Sequence, residues 1–387
     1  MKRITGILLV LFVFMNQISV QAATRENMQL SMENIEEIIT EYSPDLKIMK
    51  NNLKKDKEKY KDILDEIDDK ESEISRLEND INNYKNVVKP QEIAKSSESK
   101  KEDKEIKLNE DLRSAKKELD SLKDEKQAAK HNLKVSNIRY EKDLQGLIES
   151  AQRQYIQYVD TLLKKELKKY ETNFKNKQVE INNIKYGNGF ISKKEYEKNL
   201  DDITDFNNEL KEIEVKEKNE LKDLLFSLGV PSNTDIKVDT NIKGDLDKIS
   251  KINFEEDLDD MLLNNIDLKI KDIENDKVKD DSDISDYEIK NNKISLRQEE
   301  EKVKIEFQKR YNNLMLSSNL LKASNDKLSR TQDDALIMQT KYNYGFASKK
   351  QVDELEVGLN NKNQDFISQV NNLYMDYLSY MKMKDGY

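Results

Sequence analysis

The 387-residue chain is 36% hydrophobic and 37% charged, with three prolines, nine glycines, one histidine and neither cysteine nor tryptophan. That composition excludes a large globular core, a disulfide framework and thiolate metal sites, and it leaves long uninterrupted helices as the ordered alternative. With 67 basic and 77 acidic residues the net charge is −10, and because the signs interleave along the chain there is no basic face of the kind nucleic-acid binding needs.

Residues 1–22 read as a targeting segment. Lys2 and Arg3 form a positive start, Ile4 to Met15 is mostly apolar, and Val20-Gln21-Ala22 is a small-residue cleavage site before Ala23. A twelve-residue apolar stretch spans only about 18 Å as a helix, too short to cross a membrane, and no later stretch approaches about twenty apolar residues. The expectation is an exported chain that does not insert directly into a bilayer.

From Leu46 the apolar residues fall at Leu46, Leu53, Tyr60, Ile67, Ile74 and Ile81, with Met49, Ile63, Leu77 and Tyr84 three positions on. This is a heptad seam. A polar stretch, 89–104, holds Pro90 and is expected as a loop, after which the pattern resumes at Leu112, Leu119, Leu133, Tyr140 and Leu147, with Leu108, Ala115, Leu122 and Ala129. Neither seam buries enough on its own, so the two predict an antiparallel coiled-coil hairpin about 65 Å long. Asp56, Lys70 and Lys126 interrupt the seams as register-setting polar residues. The second helix, expected from near Glu105, meets no breaker until Gly187.

The segment Lys185-Tyr186-Gly187-Asn188-Gly189-Phe190-Ile191-Ser192-Lys193-Lys194 recurs 156 residues later as Lys341-Tyr342-Asn343-Tyr344-Gly345-Phe346-Ala347-Ser348-Lys349-Lys350, with seven of ten positions identical. Tyr155 and Tyr311 precede the two copies at the same distance, and Pro44-Asp45-Leu46-Lys47 pairs with Ile266-Asp267-Leu268-Lys269 at an offset of 222. Together these predict a tandem duplication with unequal arms, the first overshooting the second by about 50 Å. The expected organisation is a first repeat over 23–238, with its tip at 186–192, a linker over 239–253, and a shorter repeat over 254–387 with its tip at 342–348. At each tip a glycine, Gly189 or Gly345, suits a left-handed helix end, and Ser192 with Glu195, or Ser348 with Gln351, forms a capping box that starts the next helix. Phe190-Ile191 and Phe346-Ala347 are then exposed apolar residues at a loop tip, placed for a partner.

These motifs resemble those of TolC-like outer membrane efflux proteins. Leu30-Ser31-Met32-Glu33-Asn34 with Ser43-Pro44-Asp45-Leu46 resembles the family's opening motif, the two tips resemble its Tyr-x-x-Gly turns, and Leu228-Gly229-Val230-Pro231 resembles the end of its first copy. The resemblance implies an all-α, TolC-like fold of two tandem helical hairpins and a homo-oligomer, a trimer in the family, whose helices form a tunnel. It also implies adaptor docking at Gly189, Phe190, Ile191, Gly345, Phe346 and Ala347, with a membrane-fusion adaptor and an inner-membrane pump as partners. The constriction carboxylates it implies fall at Glu195 and Glu354, while Lys198 and Gln351 occupy the other two positions. The family inserts membrane strands where this chain has 89–104 and 280–285, polar segments without strand alternation, so no barrel is expected. The reading is a non-enzymatic, cofactor-free export component of the cell envelope, since His131 has no triad or metal partners in sequence. The alternative is an exported coiled-coil scaffold or regulator without transport.

Overall fold

A computed structural model describes residues 28–88, 99–242, 246–279 and 285–387. The expected targeting segment 1–22 and Ala23 lie outside the described residues, as do 89–98, Gly244 and 280–284. The first elements are a short strand, β1 (Met28–Leu30), a 3₁₀ turn (Met32–Asn34) and α1 (Ile35–Tyr42). Next, α2 (Pro44–Asn83) starts where sequence chemistry favours a start: Pro44 opens its first turn, and the Ser43 hydroxyl accepts from the Leu46 N–H at 3.2 Å. Its return partner α3 (Ser99–Gly187) runs for 89 residues, about 130 Å. This corrects the expected start near Glu105 and shortens the 89–104 loop. Lys100 to Glu105 are mostly strong helix formers, so the helix extends back through the polar stretch.

The α2–α3 seam is the predicted one. Ile63, Ile67, Ile74, Ala115, Leu119 and Ala129 are buried, flanked by Tyr60, Leu77, Leu112 and Leu122. Two of the polar interruptions bridge the hairpin: Asp56 accepts from the Ser136 hydroxyl at 2.5 Å, and Lys70 binds Glu118 at 2.7 Å. Either contact is lost if one helix slides by a residue, so these groups hold the register.

Beyond the first tip come α4 (Lys193–Leu228) and β2 (Ile236–Val238), which pairs in parallel with β1 in the register Met28 to Ile236 and Leu30 to Val238. The heptad reading contained no strand, and these two are the exception to an otherwise helical chain among the described residues. The expected linker 239–253 is also more ordered than a linker. A 3₁₀ turn (Leu246–Lys251) lies within it, and Ile249 packs into a core with Met261 and Phe307. The second half follows as α5 (Phe254–Asn264), α6 (Ile266–Lys279), α7 (Asp286–Asn343) and α8 (Lys349–Lys384). Ser285 caps α7 through the Glu288 N–H. With 14 residues in α6 against 40 in α2, and 58 in α7 against 89 in α3, the second hairpin is shorter on both sides.

Four helices form one layer in the order α4, α3, α8, α7, each packed on the next. Neighbours run antiparallel, as the cross-links show: Lys165 to Glu217 at 3.0 Å, Asn371 to Asp160 and Asn361 to Glu171 at 2.7 and 2.9 Å, and Arg310 to Ser379 at 2.8 Å. No packing of comparable extent joins α4 to α7 among the described residues, so the layer is open.

Two cores sit at the end of this layer where the arms begin. In the first, Leu30, Ile35 and Ile39 meet Tyr155 and Val159 of α3 and Leu224, Leu225 and Leu228 of α4. In the second, Phe307 stacks between Phe254 and Tyr380, with ring centroids at 5.5 and 4.8 Å, and Tyr380 donates to Asp257 at 2.7 Å. Lys384 also holds Asp257, at 2.6 Å. Burial and this carboxylate push the Tyr380 hydroxyl well above its ordinary pKa.

Each core is locked by a glycine. Gly229, at φ +74°, ends α4 against the α1–α2 corner, and a Cβ there would lie 2.6 Å from Ser43 Cα. Gly386, at φ +99°, ends the chain's last turn against the α5–α6 corner, where a Cβ would lie 2.2 Å from the Asn264 carbonyl oxygen. The Ile266 N–H donates to the Gly386 carbonyl at 2.9 Å.

Candidate functional site

At the opposite end of the layer both helix pairs turn through one backbone pattern. The Phe190 N–H reaches the Lys185 carbonyl at 2.8 Å and the Gly189 N–H reaches Tyr186 at 2.9 Å. The Phe346 and Gly345 N–H groups reach Lys341 and Tyr342 at 2.7 and 2.9 Å. These paired bonds are Schellman ends, which require a left-handed residue, supplied by Gly189 at φ +76° and Gly345 at φ +79°. The outgoing helices are capped by Ser192, whose hydroxyl accepts from the Glu195 N–H at 3.2 Å, and by Ser348, which accepts from the Gln351 N–H at 3.3 Å. At the second tip Gln351 also reaches back, accepting from the Ser348 N–H at 2.8 Å and so closing the capping box.

The turn forces the residue after each glycine outward. Phe190 is 79% exposed and Phe346 83%, while Ile191 and Ala347 are half-buried beside them. A Cβ at Gly189 or Gly345 would meet nothing within 4 Å, so neither glycine serves internal packing. The two tips differ in their aromatic surroundings. Tyr186 stacks on Tyr196 in the first, with centroids at 4.8 Å and planes 2° apart. In the second, Val352 takes the place of Tyr196, and Tyr344 adds a third exposed ring. Tyr344 went unnoticed in the sequence because its counterpart, Asn188, is polar.

The resemblance's constriction positions are separate in character. Glu195 and Lys198 are exposed on the first turns of α4, while Glu354 is exposed on α8 and paired with Lys350 at 3.5 Å. Among the described residues no group of three or more His, Asp or Glu side chains is spaced to hold a metal ion. No described helix is long and apolar enough to cross a membrane. His131 is buried in α3 where it passes α6.

No protein family model matches the chain, and no curated protein matches it in sequence. Solved structures do. The outer membrane protein VceC from Vibrio cholerae is 12% identical, with a TM-score of 0.49 over 68% of this chain and 76% of its own. The Campylobacter jejuni CmeC outer membrane channel is 13% identical, with 0.49 over 69% and 68%. CusC, whose structures follow folding and transmembrane channel formation, is 10% identical but superposes at 0.54 over 95% of both chains. Coverage of that extent, with long helices in two hairpins and a shared pair of turns at one end, means that this chain has the TolC-like fold.

Proposed function

We propose that this chain is the extracytoplasmic tunnel component of an export system, assembling as a ring of copies whose Gly-Phe tips seat on a membrane-fusion adaptor coupled to an inner-membrane pump. One observation carries the reading: the four-helix layer is open, and both of its edges are apolar. Along the α4 edge Val215 and Phe226 are exposed, and along the α7 edge Leu316, Leu320 and Ile337 are exposed. Large apolar side chains in rows on an outer helix indicate a surface covered in the working state. Edge α4 and edge α7 are different surfaces, so their contact is head-to-tail, and a head-to-tail contact makes a ring when its rotation closes. A trimer is the closure the resemblance implies, with the tandem halves alternating around the wall. Gly189, Phe190 and Ile191, together with Gly345, Phe346 and Ala347, then crown one rim, with Glu195 and Glu354 just inside it.

The test has two parts. Light scattering of the purified chain should give a defined oligomer, and Leu316→Asp with Ile337→Asp should reduce it to monomer while the helical circular dichroism is retained. Separately, Phe190→Asp with Phe346→Asp should keep the oligomer and melting curve, because both rings are exposed, yet abolish capture of a membrane-fusion adaptor. A monomeric parent chain would refute the tunnel. An oligomer that captures no adaptor would favour the envelope scaffold.

A further inference from the structure

The hairpin register brings together charges that look interleaved in sequence. Between Lys47 and Lys61, α2 carries seven lysines against Asp56 and Glu58. The facing stretch of α3, Lys130 to Gln145, carries three lysines and an arginine against Glu141 and Asp143, and the Asp56–Ser136 bond places the two side by side. The base of the long arm is therefore a belt of net charge +7 on a protein of net charge −10. These cations are almost all exposed, and Lys50, Lys55, Lys57, Lys59, Lys61 and Lys130 make no ion pair with the described residues.

The next section of the arm is the reverse. From Asp62 to Asp80, α2 has nine acidic and two basic residues, and the facing stretch of α3, Asp111 to Ala129, has five of each, for a net charge of −7. The Lys70–Glu118 bridge sets these two stretches against each other. The bands match in charge and, at about 20 to 30 Å each, in length. Apart from the exposed Ile48 and Ile106, the arm's apolar residues are turned into its own seam, so packing gives little reason for a neighbour there. Charge does: in a parallel bundle like bands would face like bands, whereas reversing one arm sets every band against its opposite.

We propose that the long arms of two copies of this chain overlap antiparallel, the basic belt of each lying on the acidic section of the other about a twofold axis near Asp62. The contact is isologous, so each pair of complementary patches is made twice. Apart from Ile48, on the same line of α2 as Lys55, it is polar, and hence sensitive to salt. The docking face follows from helix geometry. At 100° per residue Lys55, Asp62 and Asp69 lie within about 20° of one line on α2, facing away from the Ile63–Ile67–Ile74 seam, and all three are exposed. The inference is independent of the ring assembly, which uses the other end of the molecule.

The absence of native cysteine makes the test clean. In the full chain, Asp62→Cys should form a disulfide-linked dimer with itself. Lys55→Cys and Asp69→Cys should each remain unlinked alone and link when mixed, since each faces the other across the axis. All linking should be lost in about 1 M salt, where the screening length falls to about 3 Å. Lys54→Glu with Lys55→Glu, Lys57→Glu and Lys59→Glu in the Asp62→Cys background should abolish self-linking. Equal self-linking at positions 55, 62 and 69 would mean parallel arms and overturn the proposal. Linking that survives high salt, or that appears only when polyphosphate is added, would overturn it as well, the latter assigning the belt to a foreign polyanion.

Discussion

Two glycines with nearly the same backbone angle provide the sharpest check on the packing argument. Gly189 at the tip and Gly229 at the end of α4 have φ of +76° and +74°, so alanine carries the same left-handed penalty at both, about 1 kcal/mol. Their surroundings differ. A Cβ at Gly189 meets nothing within 4 Å, whereas at Gly229 it would stand 2.6 Å from Ser43 Cα and 2.8 Å from both the Pro44 ring and the Tyr42 carbonyl oxygen. Two of those three atoms are backbone and the third belongs to a rigid ring, so the α1–α2 corner itself must move, and overpacking of this kind adds about 1 to 3 kcal/mol. Gly189→Ala should therefore cost about 1 kcal/mol in urea unfolding followed by circular dichroism, and Gly229→Ala about 2 to 4 kcal/mol. Gly345→Ala and Gly386→Ala should repeat the contrast in the second half. If Gly229→Ala proves as mild as Gly189→Ala, the claim that the glycine locks two helices against a corner is wrong.

Three further outcomes follow from contacts described above. Tyr380→Phe should cost about 2 kcal/mol by chemical denaturation, because it removes a buried bond to a carboxylate, while Lys384→Ala should leave the Asp257 carboxylate without its cation and act non-additively with Tyr380→Phe. Burial pushes Lys382, which donates to the Gln145 carbonyl at 3.0 Å, down to about 8, with nearby Glu149 acting in the opposite direction and Arg153 in the same one. The folded state then holds this proton less tightly than the unfolded chain, so Lys382 adds a rise in stability between about pH 8 and its ordinary range near pH 10.5, and Lys382→Met should remove that rise from the stability–pH profile. Leu119→Ala opens a cavity in the arm seam worth about 2 to 4 kcal/mol, and hydrogen exchange should accelerate in the arm stretches of α2 and α3 while protection around Tyr155 and Phe307 is unchanged.

Long helices and their seams were legible because a sparse apolar set in a charged background leaves few alternative faces: Ile63, Ile67 and Ile74 can be buried in only one way. The tip turns were legible because a Gly–x–x–Ser spacing has a backbone meaning. What did not show was anything dependent on distance in sequence. β1 and β2 are three residues each, too short for alternation to register, and each becomes a strand only because the other lies beside it. Gly386 carries no local sign that Asn264 closes on it, and Ile249 reads as one apolar residue among lysines. The segregated charge of the arm was hidden similarly, since neither α2 nor α3 alone reveals what the other places opposite.

The pairing of Met28–Leu30 with Ile236–Val238 has a consequence for how the chain reaches its final state. Helical hairpins form from neighbours in sequence and assemble quickly, but this parallel pair joins segments some 200 residues apart and cannot form until the whole first half is present. Until then Leu30, Ile35 and Ile39 have no β2 or α4 terminus to bury against. A chain threaded through a membrane from its first residue would thus emerge with its arm already coiled and its base still open, and closure would wait for the β2 segment to arrive. Slippage or truncation before Val238 should leave a long coiled coil on an unsealed foot, a state that proteases cut near residue 30 rather than along the arm.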